Sequence, residues 1–377
     1  MNVNEKFELI KRNTEEIMTE EDLKSLLTSG MKLKHYIGFE ISGKPHLGHG
    51  LVCMAKVKDF IDAGIDCSIF LADWHTWIND KLGGDRDLIK KVAGGFFKEA
   101  LIAAYKCVGG DSKDLKFVLG SDLYHNNDKY WETVIDVSKN ITLGRIERSV
   151  TIMGRKEGEA IDFAKLIYPP MQVADIFVQG IHLPHAGSDQ RKAQVIARDC
   201  ALKLKSSPLL NKAGEQIKPV AIHGHLILGL QKPPVWPIPT ENKQELWSQM
   251  KMSKSIPTSA VYMTDNEEEV KHKIQNAFCP EGEIEFNPLL DWAKYMVFLN
   301  KKSTLEVKRP DKFGGNKTYY SFEELAKDFE NKKLHPMDLK SAMAVKLNEI
   351  LEPARKHFEQ PKIKKMKEEM DKLLITR

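Results

Sequence analysis

Cysteine is scarce in this 377-residue chain. The five present (Cys53, Cys67, Cys107, Cys200 and Cys279) are odd in number, widely spaced and never in a CxxC pair. That argues against a disulfide framework or a structural zinc site and fits a reducing compartment. No run of ~18 apolar residues occurs, so no membrane span is expected. Met1 to Leu27 has mixed charge, lacks a signal-peptide core and is too acidic for a transit peptide, so a cytoplasmic protein is expected. Neither sign of charge dominates: the formal net charge is +4. That is too small to indicate a nucleic-acid partner without a local basic patch. No internal repeat is visible. What remains is an ordinary soluble composition, 42% hydrophobic and 29% charged, long enough for two domains and a sizeable core.

The most informative stretch is 34–50. An apolar, β-rich run from Tyr36 to Ile41 stops at Ser42-Gly43-Lys44-Pro45, and His46-Leu47-Gly48-His49 opens an amphipathic stretch to about Ala63. This reads as strand, tight loop, helix, with the loop at the strand's carboxyl end, where open parallel sheets bind ligands. The helix start points unpaired N–H groups outward, which favours phosphate. His46 and His49, three apart, face the same way, and Gly48 leaves bare backbone on which a flat base can stack. Taken alone, such a pair reads as readily as two capping or surface histidines. About 200 residues on stands Lys251-Met252-Ser253-Lys254-Ser255. Two ammonium groups in a short loop suit a polyphosphate that gains charge in a transition state; alone, the loop is equally a solvated basic turn. The two signals in this order are far more specific than either one.

Along the chain, residues 4–28 read as an amphipathic helical start. Further strands are expected at 67–72, 116–119, 181–183 and 219–223, and helices at 88–106, within 128–149, at 168–180 and at 188–204. Pro169 and Pro170 are acceptable in the first turn of the 168–180 helix. Alternating strands and helices imply a doubly wound parallel sheet with right-handed crossovers. After Val261 the pattern turns mainly helical, at 266–278, 287–299, 321–330 and 336–358. The Lys-rich stretch 361–377 reads as a frayed helix or solvated tail, with a nucleic-acid contact as the alternative. On the 168–180 helix, Tyr168, Gln172 and Asp175 fall at i, i+4 and i+7, so a phenol, an amide and a carboxylate share one face.

The HLGH and KMSKS pair resembles the signature of the class I aminoacyl-tRNA synthetases. From about Leu33 to about Phe358 the chain is similar to the tyrosyl-tRNA synthetases of archaeal and eukaryotic type. The resemblance implies an α/β architecture: a Rossmann-like, doubly wound parallel-sheet catalytic domain followed by an α-helical anticodon-binding domain. The expected division is an N-terminal helical segment at 1–30, the catalytic domain at 31–260 with an insertion near 205–249, the anticodon-binding domain at 261–360, and a basic tail at 361–377. It implies that L-tyrosine is activated with ATP to the adenylate, releasing pyrophosphate, and is then passed to tRNA(Tyr). Mg²⁺ is expected to travel with ATP, a homodimer is expected, and neither a resident metal, a membrane nor DNA is.

Carried across residue by residue, Tyr168, Gln172 and Gln190 would hold the substrate's ammonium end, and Tyr36 and Asp175 its phenolic oxygen. A site that hydrogen-bonds a hydroxyl rejects the analogue lacking it, because its buried groups are then left unpaired. His75 matches a histidine near the substrate ring, or it merely lines a loop. His46 and His49 would meet phosphate, Gly48 the adenine, and Lys251 and Lys254 the departing pyrophosphate, with Met252 and Ser253 completing the ATP-binding loop. Arg148 and Arg191 match positions that meet the first base pair of the acceptor stem. Phe313, His335, Pro336 and Asp338 match the anticodon-reading region, where stacking and edge hydrogen bonds read single-stranded bases. Without the resemblance, 335–338 reads as a helix start capped by Asp338. Two departures from the family pattern stand out: Gly50 replaces a larger residue, and Pro184-His185-Ala186 precedes Gly187.

Three rivals remain. A tryptophan–tRNA ligase is disfavoured because an indole has no oxygen for Asp175. A synthetase-derived RNA-binding protein without ligase activity is disfavoured by the intact motif residues. A small nucleotidyltransferase with an HxGH motif would lack the helical second half.

Overall fold

The computed structural model describes residues 1–373 except Asn242, Ser255 and Lys301. The last residue of KMSKS and the end of the expected tail, 374–377, therefore lie outside the described residues.

The frame is a six-stranded sheet in the order β1-β6-β5-β2-β3-β4. Its strands are β1 (Thr14–Met18), β2 (Lys34–Phe39), β3 (Asp66–Leu71), β4 (Lys116–Leu119), β5 (Leu183–Gly187) and β6 (Ala221–Gly224). From β6 to β4 every neighbouring pair is parallel. The chain steps outward from β2 through β3 to β4, then returns to β5 on the other side of β2. The strand order therefore reverses between β2 and β5, and the crevice at their carboxyl ends is the natural ligand site of such a sheet.

Helices α1 (Val3–Lys11), α2 (Glu20–Thr28), α3 (Cys53–Asp62), α4 (Asp73–Ile78), α5 (Arg86–Val92) and α6 (Lys98–Cys107) precede β4. Then come α7 (Gly120–Tyr124), α8 (Asp128–Lys139), α9 (Leu143–Ser149), α10 (Ala164–Val178) and α11 (Arg191–Cys200). Beyond β6 lie α12 (Lys243–Met250), α13 (Glu267–Gln275), α14 (Pro288–Trp292), α15 (Phe322–Glu330), α16 (Pro336–Phe358) and α17 (Pro361–Asp371). Strand alternation sorts side chains to the two faces. Ile37, Phe39, Ile69 and Leu71 join a core shared with α1, α3, α6, α14 and α16, while Tyr36 and Phe70 join a second core with α8, α10 and α11. The first core runs unbroken from Phe7 to Met370, so the helical half is packed onto the sheet.

Several expectations need correction. The N-terminal stretch is not helical throughout: Asn13, at φ 55°, ends the first helix. Thr14–Met18 then pairs antiparallel with β6 as an edge strand, so the sheet is mixed rather than wholly parallel. Pairing with β6 overrides the helix propensity of its glutamates, which suit a partly solvated edge. Helix α10 begins at Ala164, so Pro169 and Pro170 stand inside it rather than in its first turn. They cost it two internal hydrogen bonds, which the buried face around them offsets. β5 begins at Leu183 and runs through Pro184-His185-Ala186.

A short hairpin, β7 (Leu305–Val307) with β8 (Lys317–Tyr319), went unseen within the helical half because three residues are too few to show alternation. Finally, 361–371 is a docked helix rather than a solvated tail. Ile363 and Met370 are buried, and Lys91–Glu369 and Lys44–Asp371 ion pairs tie it down. Met366 packs over Gly95 at ordinary contact distance, its sulfur 3.8 Å from where a Cβ there would stand.

Candidate active site at the carboxyl edge of the sheet

Each parallel strand ends in residues that converge on this edge. Glu40 and the HLGH turn follow β2, Asp73 and His75 follow β3, Tyr124 follows β4, and Gln190 follows β5. Helix α10 packs on the Tyr36 and Phe70 face of the sheet and reaches Glu40 through Tyr168.

Asp175 on α10 is 1% exposed. Its Oδ1 accepts hydrogen bonds from Tyr124 Oη (3.0 Å) and Tyr130 Oη (3.1 Å), and its Oδ2 lies 3.6 Å from His75 Nε2. Burial drives the Asp175 carboxyl well above the usual carboxylate range, against the two phenol hydrogen bonds, which favour its charge. Buried Tyr36 is pushed up by burial and by the Asp175 charge. His75, pushed down to about 3 by burial, is neutral at physiological pH, and its ring stands edge-on to Tyr168 at 4.5 Å.

At the other end of the α10 face, Tyr168 Oη donates to Glu40 Oε1 (2.7 Å), and Asn79 Nδ2 donates to both Glu40 oxygens (3.0 and 3.2 Å). Gln172 Nε2 donates to Gln190 Oε1 (3.2 Å), and Gln190 Nε2 to the Ile152 carbonyl (2.8 Å). Burial raises the Glu40 carboxyl, while Tyr168, Lys81, Asn79 and Lys254 oppose the rise. Two buried atoms of the pocket, His75 Nε2 and Gln172 Oε1, have no hydrogen-bond partner among the described residues. Such groups are costly unless a ligand meets them. The pocket therefore unites Tyr36, His75, Tyr168, Gln172, Asp175 and Gln190. It adds Glu40, Tyr124 and Tyr130, which the sequence reading missed. Their signal was position: Glu40 stands one residue past β2, and Tyr124 five past β4.

The two motif loops meet beside this pocket. Leu47 N donates to the Val261 carbonyl (2.9 Å), and Met263 N to that of Pro45 (3.1 Å). The stretch expected to be helical from His46 begins instead as a π-wound turn, Gly48–Val52, and becomes α-helical at Cys53. His46 and His49 stack at 4.2 Å. Burial, and then the charges around them, hold both well below the ordinary histidine range, so each is neutral with one ring N–H to donate. A Cβ on Gly48 would lie 3.1 Å from the His46 ring, so His46 already crowds this position. A Cβ on Gly50 would sit 2.7 Å from Met263, which accounts for the glycine there.

In KMSKS, Lys251 pairs with Asp189 and Met252 is buried. Ser259 Oγ donates to the Ser253 carbonyl at 3.3 Å. Lys254 Nζ donates to Ser42 Oγ (2.8 Å), beside the HLGH turn. Burial pushes the Lys254 ammonium down to about 7, against the pull of Glu40. Among the described residues no group of three or more His, Cys, Asp or Glu is arranged to hold a metal ion.

The residues expected to meet tRNA lie elsewhere. Arg191 forms a two-pronged ion pair with Glu16 of β1 (2.8 and 2.9 Å). Arg148 is exposed on α9, and its carbonyl accepts from Lys192 Nζ at 2.7 Å. Phe313, 61% exposed, stands in the β7–β8 loop. His335, not Asp338, caps α16: its Nδ1 accepts from Met337 N at 3.2 Å, with Pro336 as the first helical residue. Asp338 lies 3.9 Å from Arg309.

A buried acid surrounded by phenols, next to a histidine turn and a lysine loop at the switch point of a doubly wound sheet, defines a class I aminoacyl-tRNA synthetase. The family model described as tRNA synthetases class I (W and Y) matches residues 28–352, and the chain belongs to that family. The tyrosine–tRNA ligase of Thermococcus kodakarensis is 58% identical over 361 residues, covering 95% of this chain and 96% of its own. That of Pyrobaculum calidifontis is 45% identical over the full length of both. The crystal structure of the tyrosyl-tRNA synthetase of Pyrococcus horikoshii complexed with L-tyrosine superposes with a TM-score of 0.94 at 53% identity, covering 98% of this chain and all of that one. A tryptophanyl-tRNA synthetase from Aeropyrum pernix, at 19% identity and a TM-score of 0.65, shares the fold alone. Within the family the chain is a tyrosyl-tRNA synthetase of the archaeal type.

Proposed function

We propose that the pocket binds L-tyrosine and that the chain activates it with ATP before passing it to tRNA(Tyr). The observation that carries this reading is Asp175: fully buried, with one oxygen held by two phenols and the other turned toward His75. A substrate phenol brings both a donor and an acceptor to such a place. Tyr36 and Asp175 take the phenolic oxygen, with His75 beside it, and Tyr168, Gln172 and Gln190 take the ammonium end. Glu40 adds negative charge to that end through Tyr168.

In the first step a tyrosine carboxylate oxygen attacks the α-phosphorus of ATP, and the bond to the bridging oxygen breaks, releasing pyrophosphate. In the second, the 3′-terminal ribose hydroxyl of the tRNA attacks the tyrosyl carbonyl, and AMP leaves. No protein nucleophile is needed; positioning and electrostatic stabilisation do the work. His46 and His49 donate to phosphate, Gly48 meets the adenine, and Lys251, Met252, Ser253 and Lys254 form the loop over the departing pyrophosphate. Mg²⁺ enters with ATP as part of the substrate.

The helical half, 261–360, reads the anticodon through Phe313, His335, Pro336 and Asp338, while Arg148 and Arg191 meet the acceptor stem. For Arg191 this requires leaving Glu16. The enzyme acts in the cytoplasm as a homodimer; the exposed face of α8, with Trp131 and Ile135, is a surface for the second copy. No described helix is long and apolar enough to cross a membrane.

ATP–pyrophosphate exchange with tyrosine, with tryptophan and with no amino acid tests the reading. Exchange dependent on tyrosine alone is expected, and exchange with tryptophan only would overturn it. Light scattering at micromolar concentration tests the dimer: a mass near twice 42.9 kDa is expected.

A further inference from the structure

Residues 227–230, just past β6, carry backbone bonds to two different parts of the chain. On one side they hold the chain that flanks KMSKS: Met252 N donates to the Ile227 carbonyl (2.7 Å), Gly229 N to that of Met250 (2.7 Å), and Leu230 N to that of Ser259 (2.9 Å). On the other side they are held by the helical half. Leu228 N donates to Asp291 Oδ2 (2.9 Å), Trp292 Nε1 donates to the Leu228 carbonyl (2.8 Å), and Phe278 N to that of Leu230 (2.8 Å). Both backbone polar groups of Leu228 are thus met by two adjacent α14 side chains.

The surroundings leave little slack. Leu228 and Trp292 are fully buried. The other Asp291 oxygen lies 2.7 Å from His225 Nε2, and that ring stacks on Tyr295 at 4.1 Å. A Cβ on Gly229 would come within 3.1 Å of the Ser259 side chain and 3.2 Å of the Met250 carbonyl, so the two strands of chain are as close as glycine permits.

We propose that Asp291 and Trp292 are positioning residues for the chemical step, fixing the 227–230 segment so that Lys251 and Lys254 are held at working depth over the nucleotide. The proposal rests on the assignment of those lysines to the departing pyrophosphate. A buried peptide that loses one of these partners must move or stay unsatisfied, and the loop paired with it moves too. Displacement of about 1 Å at a reacting group costs on the order of 10²-fold in rate.

The test uses the full chain with Asp291→Asn, Trp292→Phe, Gly229→Ala and Lys254→Ala, with active sites counted by equilibrium dialysis of tyrosine. For the α14 variants and Gly229→Ala, exchange turnover per tyrosine-binding site is expected to fall roughly ten- to a hundredfold with a raised KM for ATP, while the tyrosine Kd stays within about twofold. If one variant fails to fold, the other two carry the measurement. A merely structural role lowers Tm and the yield of sites but leaves turnover per site and KM for ATP unchanged, and that result overturns the proposal. Should Lys254→Ala exchange normally, the lysine assignment falls and the proposal with it. If Lys254→Ala is slow and the α14 variants are normal, only the positioning role falls.

Discussion

The amino-acid pocket and the nucleotide loops lie side by side but are built in opposite ways. In the pocket, polar groups stand mainly on α4, α7, α8 and α10, with Glu40 just past β2 and Gln190 just past β5, and already hold one another: Asp175 has Tyr124 and Tyr130, Tyr168 has Glu40, and Gln172 has Gln190. At the proposed nucleotide side the motif groups stand on turns, and the two lysines are occupied by Asp189 and Ser42, partners that the proposed role would have them exchange for phosphate. Selection among amino acids needs a rigid frame whose unmatched atoms punish the wrong side chain. Phosphate chemistry needs cations that can follow a group as it leaves.

The largest effect that can break this contrast is loss of a charge or donor on the loop side. Lys254→Ala and His49→Ala are expected to slow exchange by about 10²–10³-fold, the usual worth of one preorganised donor, with tyrosine Kd nearly unchanged. A matching loss of tyrosine affinity would erase the division. On the pocket side, Asp175→Asn keeps an acceptor for Tyr124 and Tyr130 but lacks the charge. Its preference for tyrosine over phenylalanine, measured as a ratio of kcat/KM, should narrow roughly ten- to a hundredfold. In the helical half, Asp338→Asn should raise the KM for tRNA in aminoacylation by about tenfold, within the range for one lost base-edge contact, and leave exchange untouched.

The smallest effect is on pH dependence. Lys254 titrates near 7 in the free protein instead of 10.5. Bound phosphates raise that pKa, so ATP affinity is full below pH 7 and declines as pH rises through and above it. Between pH 7 and 8.5 the KM for ATP should climb roughly three- to tenfold. Lys254→Arg, which does not titrate in that range, should flatten the profile. For stability the sign is positive: between 7 and 10.5 the unfolded chain holds a proton that the fold has shed, so the cost of burying this ammonium fades as pH rises.

Much of the site was legible because its residues follow strands or share a helix face. Tyr168, Gln172 and Asp175 were grouped by spacing, and the structure sets them on one face of α10, Tyr168 and Asp175 buried and Gln172 half-buried. Tyr124 and Tyr130 escaped because their relation to Asp175 crosses 51 and 45 residues and no local period marks it. The strand at 14–18 escaped for a similar reason: its pairing partner lies at 221–224. The expectation of Asp338 as a cap failed to the neighbouring His335, whose ring nitrogen reaches Met337 N.

Local chemistry therefore specified the kinds of group present and the elements that bear them: the imidazoles and glycine of the HLGH turn, the ammonium groups of KMSKS, and the polar face of α10. These depend on neighbours a few residues away, where chain geometry leaves few choices. Which carboxylate is buried and which phenols hold it, where the two motif loops meet, and what anchors them to the helical half came from folding over hundreds of residues. Such contacts form only when apolar faces pack and exclude water, and burial then sets the state of Asp175 and Lys254.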